Sequence, residues 1–371
     1  MQPPVLFACV GGFLGAGKTS AIVAAARALQ ARGLRVGVVA NDQGSDLVDT
    51  AVFRGQGLPA SEIAGGCFCC RFDELLVAAD RLLGETPVDV LLAEAVGSCT
   101  DLVATVYRPL RRFHPDRFRL APFSVLVEPD RLREMSEETA ALDEDVVYLF
   151  GRQIAEAELL VLTKADLLGP EARTSARRTL RDAAPRVPVL ELSSVTGDGV
   201  AAWVDRLLGE TAALAGTLDL DYEAYARGEA VLGWLNATLE LRRSEGLAVR
   251  GVGEALSAEI QDRIRAAGAF LPHAKILVAS SRGSARIALT RAGEPPTWTG
   301  PSDLPSEPAL SAIVNVRAAL APEPLRRLVE EAVGAAANGL KATVALQRLE
   351  CFSPPPPVPR HRMADAAAPG L

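Results

Sequence analysis

Three thiols fall within four residues in Gly65-Gly66-Cys67-Phe68-Cys69-Cys70. Crowding of this kind suits a metal or redox site better than a disulfide framework, which a chain of this size in a reducing compartment does not need. Thiolates at a helix N-terminus have lowered pKa values, and sulfur donors select Zn²⁺, Cu(I) or a similar borderline-to-soft ion. Three sulfurs leave a tetrahedral ion one ligand short. Candidates for the fourth position are Cys99, a carboxylate such as Glu62 or Asp42, water, or a second subunit. Two other uses compete with this one: packing as small residues in a tight turn, and redox chemistry. Cys9, inside the apolar run Leu6-Phe7-Ala8-Cys9-Val10, reads as a small buried hydrophobe.

A second group is built for phosphate. Gly12-Phe13-Leu14-Gly15-Ala16-Gly17-Lys18-Thr19 fits the pattern G-x-x-x-x-G-K-[ST], preceded by a strand-like run and followed by an Ala-rich helix. Glycines let backbone N–H groups turn inward around an anion, and the helix N-terminus adds partial positive charge. Gly12, Gly15, Ala16, Gly17, Lys18, Thr19 and Ser20 are the expected phosphate-binding residues. Lys18 is expected to reach the β and γ phosphates and act in catalysis, with the Thr19 hydroxyl on Mg²⁺. Asp42, in Asn41-Asp42-Gln43-Gly44, and Glu94, in Glu94-Ala95-Val96-Gly97, end two further apolar runs. Carboxylates at the ends of parallel strands converge on a ligand crevice. Both are expected in catalysis, and Asp42 on Mg²⁺ as well; Gln43 is also within reach of an attacking water. As isolated acids, either residue equally suits a helix cap or a solvated turn.

Leu159 to Leu162 is a buried-strand pattern that runs into Thr163-Lys164-Ala165-Asp166, which resembles the N-K-x-D signature of GTPases. An Asp there accepts two hydrogen bonds from guanine, while the Lys stem covers the base. Thr163, Lys164 and Asp166 are therefore expected at the base. Ser193, in Glu191-Leu192-Ser193-Ser194-Val195-Thr196-Gly197, begins a loop that resembles the one backing the guanine. Taken alone, T-K-x-D also describes a strand that ends in a polar turn.

These residues need a scaffold. Apolar runs at Val5 to Val10, Arg35 to Ala40, Val88 to Ala93, Phe123 to Val127, Leu159 to Thr163 and Val187 to Leu192 alternate with helical patterns, including Thr19 to Ala31 and one that begins near Arg71. That alternation predicts an α/β P-loop NTPase fold with a mostly parallel sheet over residues 1–216. A smaller α+β domain is expected over 222–340, with strands at Trp234 to Leu241, Lys275 to Ala279, Ala285 to Thr290 and Ala312 to Val316, and helices at Gly253 to Ala267 and Glu323 to Ala336. A long loop is expected from Ala292 to Pro308 and a disordered Pro/Ala-rich tail over 353–371. The 371 residues carry 39 basic and 46 acidic side chains, a net charge of −7, the wrong sign for gripping a nucleic-acid backbone. No apolar run approaches the roughly 20 residues of a spanning helix, and the glycine loop comes too early to leave room for a signal peptide. A cytoplasmic protein with neither nucleic-acid nor membrane partners is expected.

Taken together, the G-x-x-G-x-G-K-T loop, G-C-x-C-C, E-x-x-G and T-K-x-D resemble, in order, the marks of the CobW-type GTPases, relatives of the nickel-handling HypB and UreG proteins. The resemblance covers residues 5 to 200; the region after Tyr222 looks like that family's smaller C-terminal domain. It implies a GTPase that cycles between GTP and GDP and delivers a metal ion, of the Zn²⁺ or Co²⁺ class, to a client metalloprotein. A homodimer across the nucleotide face is common among relatives. Within the same resemblance, the chain is alternatively a switch for a metal- or cobalamin-dependent partner that carries no metal itself; a small-molecule kinase is the third reading. Asp42 stands where many relatives have Glu, and Thr163 where they have Asn. Only three histidines occur, His114, His273 and His361, so the His-rich storage loop of some relatives is missing. A single metal site fits better than bulk storage.

Overall fold

In the computed structural model, which describes residues 3–44, 48–136, 142–214, 216–301 and 303–364, the apolar runs of the first half become strands. These are β1 (Val5–Gly11), β2 (Val36–Asn41), β3 (Ala60–Ile63), β4 (Val90–Glu94), β5 (Phe118–Leu120), β6 (Ser124–Val127), β7 (Leu159–Leu162) and β8 (Val189–Glu191). They form one sheet in the order β3-β2-β4-β1-β6-β7-β8, with β5 beside β1, and all pairings are parallel. Every residue of β2 and β4 is buried, which is why both read as unbroken apolar runs. β3 and β5 escaped the sequence reading because they are four and three residues long and carry Glu62 and Arg119.

The helix Lys18–Ala31 lays Ala21, Ile22, Ala25, Ala26 and Leu29 into the core at helical spacing. Its small side chains let it pack closely on the helix Val200–Gly209. From that second helix Trp203 is fully buried, its indole N–H satisfied by the Ser124 hydroxyl at 3.0 Å. The register of the central strands matters most for function. Glu94 pairs with Val10 on one side and with Ala40 on the other, so the segments after β1, β2 and β4 leave the sheet at one level.

The chain divides into two units: Met1–Gln43, Phe53–Gly228 and Pro356–Leu371 in one, Gly44–Val52 and Glu229–Pro355 in the other. In the second unit, β9 (Gly233–Leu247), β10 (His273–Ser280), β11 (Gly283–Leu289), β12 (Thr297–Thr299), β13 (Glu307–Ala318) and β14 (Thr343–Phe352) make an antiparallel sheet ordered β12-β11-β10-β13-β9-β14. Alternate residues such as Leu235, Ala237, Leu239 and Leu241 pack with Ala274, Ile276 and Val278 against the helices Val249–Ala266 and Pro322–Gly339. Within this unit Asp49 pairs with Lys275 at 2.5 Å, and the Val48 N–H donates to Asn315 Oδ1 at 3.1 Å.

Three expectations about extent need correction. The helix Tyr222–Ala230 belongs mostly to the first unit, whose limit is Gly228 rather than 216. The second unit runs past 340 because β14 pairs along β9; β14 is largely exposed and so lacks an apolar run to announce it. The proline-rich stretch expected to be disordered is held in place as far as Ala364, while residues 365–371 lie outside the described residues. Arg360 N–H donates to Cys69 O (2.8 Å), Met363 N–H to Ala104 O (2.9 Å), and Arg362 pairs with Asp101 (2.6 Å). His361 contacts the rings of Phe72 and Phe113. Prolines hold a backbone extended, and an extended chain with its hydrogen bonds supplied by neighbours is ordered without any helix or strand of its own.

Gly12 sits at φ 124°, where a side chain is strained, and an added Cβ would lie 2.2 Å from Leu126 O. Gly12→Ala is expected to cost about 1–3 kcal/mol of stability and to weaken nucleotide binding. Thermal melts with and without nucleotide check this, and a parental melting temperature with intact binding would contradict it.

Candidate nucleotide and metal site

The loop between β1 and the helix Lys18–Ala31 takes left-handed backbone at Gly15 (φ 82°) and Gly17 (φ 86°), the conformation a phosphate cradle needs and L side chains resist. Lys18 is buried, its Nζ folded onto Gly12 O at 2.7 Å and Phe13 O at 3.3 Å. Thr19 Oγ1 donates to Glu94 Oε1 at 2.9 Å, and both residues are buried. A hydroxyl and a carboxylate oxygen side by side make a hard donor pair that fits Mg²⁺. Asp42 lies two residues beyond the Ala40 that pairs with Glu94, its N–H bonded to Ile63 O. Ser20 lies in the first turn of the helix after Thr19.

The residues expected at the base lie on two neighbouring loops. Thr163, buried, approaches Ala16 O of the phosphate loop at 2.9 Å and Val127 O at 3.2 Å. One hydroxyl proton serves these two carbonyls, so Thr163 braces the loop with less than an amide side chain offers. Lys164 adopts left-handed backbone (φ 52°) and its Nζ pairs with Glu128 at 3.3 Å. Asp166 is exposed on the short turn Ala165–Leu167. The Ala165 N–H bonds Leu192 O, which ties this loop to the next, where Ser193 Oγ accepts from the N–H groups of Val195 and Thr196.

The thiols meet. Cys67 Sγ lies 2.8 Å from Cys69 Sγ and 3.3 Å from Cys70 Sγ, and the latter two are 3.8 Å apart. No disulfide joins any of the six cysteines. Their loop hangs from the end of β2. Asn41 Nδ2 donates to Ile63 O (3.1 Å) and Gly66 O (2.7 Å), while its Oδ1 accepts from the Phe68 N–H (2.9 Å). Val358 N–H donates to Cys70 Sγ at 3.3 Å.

Hydrogen bonds decide which thiol ionises. The Cys67 thiol is held well below its ordinary pKa because Cys69, then Cys70, then Cys99 hydrogen-bond to it. Cys69 is pushed up, first by its bond to Cys67, then by Cys70 and by burial. Cys70 rises to about 11, chiefly through Cys67. Zn–S bonds of about 2.3 Å require S···S edges of about 3.8 Å in a tetrahedron, so an ion would spread the two shorter edges by no more than about 1 Å. Cys9 is fully buried, and burial pushes its thiol far up, in keeping with a packing role.

Four residues that position the site were not singled out in the sequence. Asn41 anchors the thiol loop. Glu128, after β6, pairs with Lys164 and accepts from the Arg131 N–H (2.7 Å). Gln153 Nε2 donates to both Gly97 O and Cys99 O, each at 2.9 Å. Glu156 is buried and accepts from the Val103 N–H (2.5 Å) and the Thr100 hydroxyl (3.3 Å). A polar residue inside an amphipathic helical pattern, such as Gln153 or Glu156, gives no sign that its partners lie 53 to 56 residues away. Only Asn41, next to Asp42 in a motif already noted, carried a readable signal.

The nucleotide-binding-domain model of the CobW/HypB/UreG family matches residues 6–191, half of the chain. A protein named zinc chaperone CobW from a Sinorhizobium species is 28% identical over 215 residues, 52% of this chain and 60% of its own length. One of the same name from Pseudomonas aeruginosa is 29% identical over 219 residues, covering 50% and 55% respectively. The chain thus spans less than two thirds of these curated relatives. The crystal structure of HypB from Helicobacter pylori in complex with nickel aligns at 18% identity and a TM-score of 0.42, covering 55% of this chain and 86% of that one. Among the described residues, no helix is long and apolar enough to cross a membrane.

Glu156 yields a pH prediction. Burial, and next the charge of Asp101, raise its pKa to about 8, against the hydrogen bonds from Val103 and Thr100. A group whose folded pKa lies above its unfolded value of about 4.3 favours the fold at low pH and loses that contribution as pH climbs to about 8. Glu156→Gln keeps the acceptor for Val103 and is expected to flatten the fall in melting temperature between about pH 5 and 8. Parallel melts of both proteins across that window test it; identical slopes would assign the titration elsewhere.

Proposed function

That the chain belongs to the CobW/HypB/UreG family is the premise from which we propose that it binds and hydrolyses GTP and couples nucleotide state to capture and delivery of a thiolate-bound metal ion of the Zn²⁺ or Co²⁺ class. The observation that carries this reading is the trio Cys67, Cys69 and Cys70, with all three sulfurs within 3.8 Å, on a loop tied by Asn41 to the strand end that leads into Asp42. The zinc-chaperone names of two relatives agree with that donor set.

In this reading Lys18 leaves Gly12 O and Phe13 O for the β and γ phosphates, while the backbone N–H groups of Gly15 to Thr19 enclose them. Thr19 and the Asp42 carboxylate would hold Mg²⁺, which would supply neutralisation of the phosphate charge, and Glu94 would orient the Thr19 hydroxyl. Glu94, now bonded to Thr19, and Asp42 are the acids available to the attacking water. Asp166 accepts from the guanine N1–H and amine, Lys164 lies over the base, and Thr163 and Ser193 hold the two base loops in shape. The released metal passes to a client metalloprotein.

Calorimetric titration of GTP and ATP into metal-free and Zn²⁺-loaded protein tests both halves. GTP is expected to bind in preference to ATP, and Asp166→Ala to reduce that preference at least about tenfold, or ~1.4 kcal/mol. Zinc is expected to bind one ion per chain, to be lost in the variant with Cys67, Cys69 and Cys70 all replaced by Ser, and to alter GTP affinity. Metal uptake that survives the triple replacement would move the site elsewhere.

A further inference from the structure

Access to the thiol trio is restricted. Cys67 and Cys69 are 2% and 1% exposed, so an ion reaches them only if something beside them moves. Residues 353–364 lie in neither helix nor strand, and part of this extended segment crosses the thiol loop. Val358 N–H donates to Cys70 Sγ at 3.3 Å and Arg360 N–H to Cys69 O at 2.8 Å. The next residue, His361, meets the ring of Phe72, which opens the helix Phe72–Glu85 after the thiols, at 5.1 Å.

The hold on this segment is uneven. Beside the thiols it consists of those two hydrogen bonds and an ion pair of Arg360 with Asp73 at 3.3 Å, whose side chains are 63% and 67% exposed. A solvated pair of this kind contributes little, and sulfur is a weak acceptor. Farther along, the hold is stronger. Arg362 Nε meets Asp101 Oδ2 at 2.6 Å, where the Asp101 side chain is 2% exposed, and Arg362 Nη2 donates to Leu218 O at 2.9 Å. Met363 is bonded through both backbone groups, its N–H to Ala104 O at 2.9 Å and its carbonyl to Arg108 Nη1 at 2.7 Å. Removing the cation from a buried carboxylate is costly, so the Arg362–Asp101 pair is the firm point.

We propose that residues 357–363 are a strap that gates the cysteine trio, held shut chiefly by the Arg362–Asp101 pair. While the pair holds, the backbone of Val358 and Arg360 stays on the thiol loop and the sulfurs are covered. When it parts, the contacts left beside the thiols are too weak to keep an extended segment in place, and the strap lifts. The gate stands apart from the ligands: it sets how fast an ion enters or leaves, and not which ion the sulfurs prefer. As a gate for metal it rests on the metal-carrying function proposed above; as a cover over the thiols it does not.

Alkylation of the metal-free full-length chain by iodoacetamide, with each cysteine followed by peptide mass spectrometry, reads the cover directly. Arg362→Met is expected to raise the rate at Cys67, Cys69 and Cys70 about tenfold or more, because the opening that exposes them is then less opposed. Cys9, buried in β1, should keep its parental rate. Asp101→Asn breaks the same pair from its other side, at a left-handed residue (φ 64°) where asparagine is tolerated. It should act alike and add little to Arg362→Met in the double variant. Parental rates in both single variants, or a rise shared equally by Cys9 in both, would overturn the strap as a gate. Transfer of bound Zn²⁺ to a chelator gives a second readout: Arg362→Met should speed it by a similar factor at unchanged stoichiometry, and an unchanged rate would overturn the strap's role in metal exchange. A parent chain that binds no Zn²⁺ would instead refute the metal-carrying function, while the alkylation rates still decide whether the strap covers the thiols.

Discussion

The site depends on one constraint of strand register. Glu94 is opposite Val10 on one neighbour and Ala40 on the other, which sets the ends of β1, β4 and β2 level. Three consequences follow from that alignment. The phosphate loop begins where β1 ends, the Thr19 hydroxyl meets the Glu94 carboxylate, and Asn41 lies close enough to hold the thiol loop through two hydrogen bonds and the end of β3 through a third. A parallel sheet buried on both faces resists slippage, because moving one strand by one residue would reverse every side chain it presents. The polar chemistry thus stands on an apolar frame with little freedom.

Hung from this frame, the thiols form a proton-sharing cluster. Hydrogen bonds from its neighbours favour ionisation of Cys67, and the same contacts disfavour ionisation of Cys69 and Cys70. A soft divalent ion entering the cluster would displace those shared protons, which would link its uptake to pH.

Much of the frame was legible in the sequence. Six strands of the first unit were readable because buried parallel strands leave unbroken apolar runs, and the phosphate loop because its glycines have few alternatives. The trio of cysteines was legible by crowding alone. Other features were hidden for identifiable reasons. β14 exposes most of its residues, and β12 is three residues inside a Pro- and Gly-rich stretch. Gln153 and Glu156 look like the polar side of a helix, yet both are buried and bind backbone from the segment 97–103. Thr163 appeared as a departure from a signature, and only the folded chain reveals its approach to Ala16 O.

The tail shows how composition misleads. Four consecutive prolines and an Ala-rich end lack the apolar pattern of a packed segment, but residues 358–363 do not need one. Their backbone donors reach Cys70 Sγ, Cys69 O and Ala104 O, while Arg108 Nη1 donates to Met363 O at 2.7 Å. Arg362 adds an ion pair to buried Asp101, which Tyr222 also bonds at 2.7 Å. Asp101 itself takes left-handed backbone at φ 64°, a strain that its three-sided polar environment stabilises, since its carbonyl also accepts from Thr105. One extended strap therefore touches both the thiol loop and the end of the Glu94–Asp101 loop. An N–H donor to a thiolate sulfur persists when the sulfur binds a metal, so the strap's bond to Cys70 is compatible with a loaded site as well as an empty one.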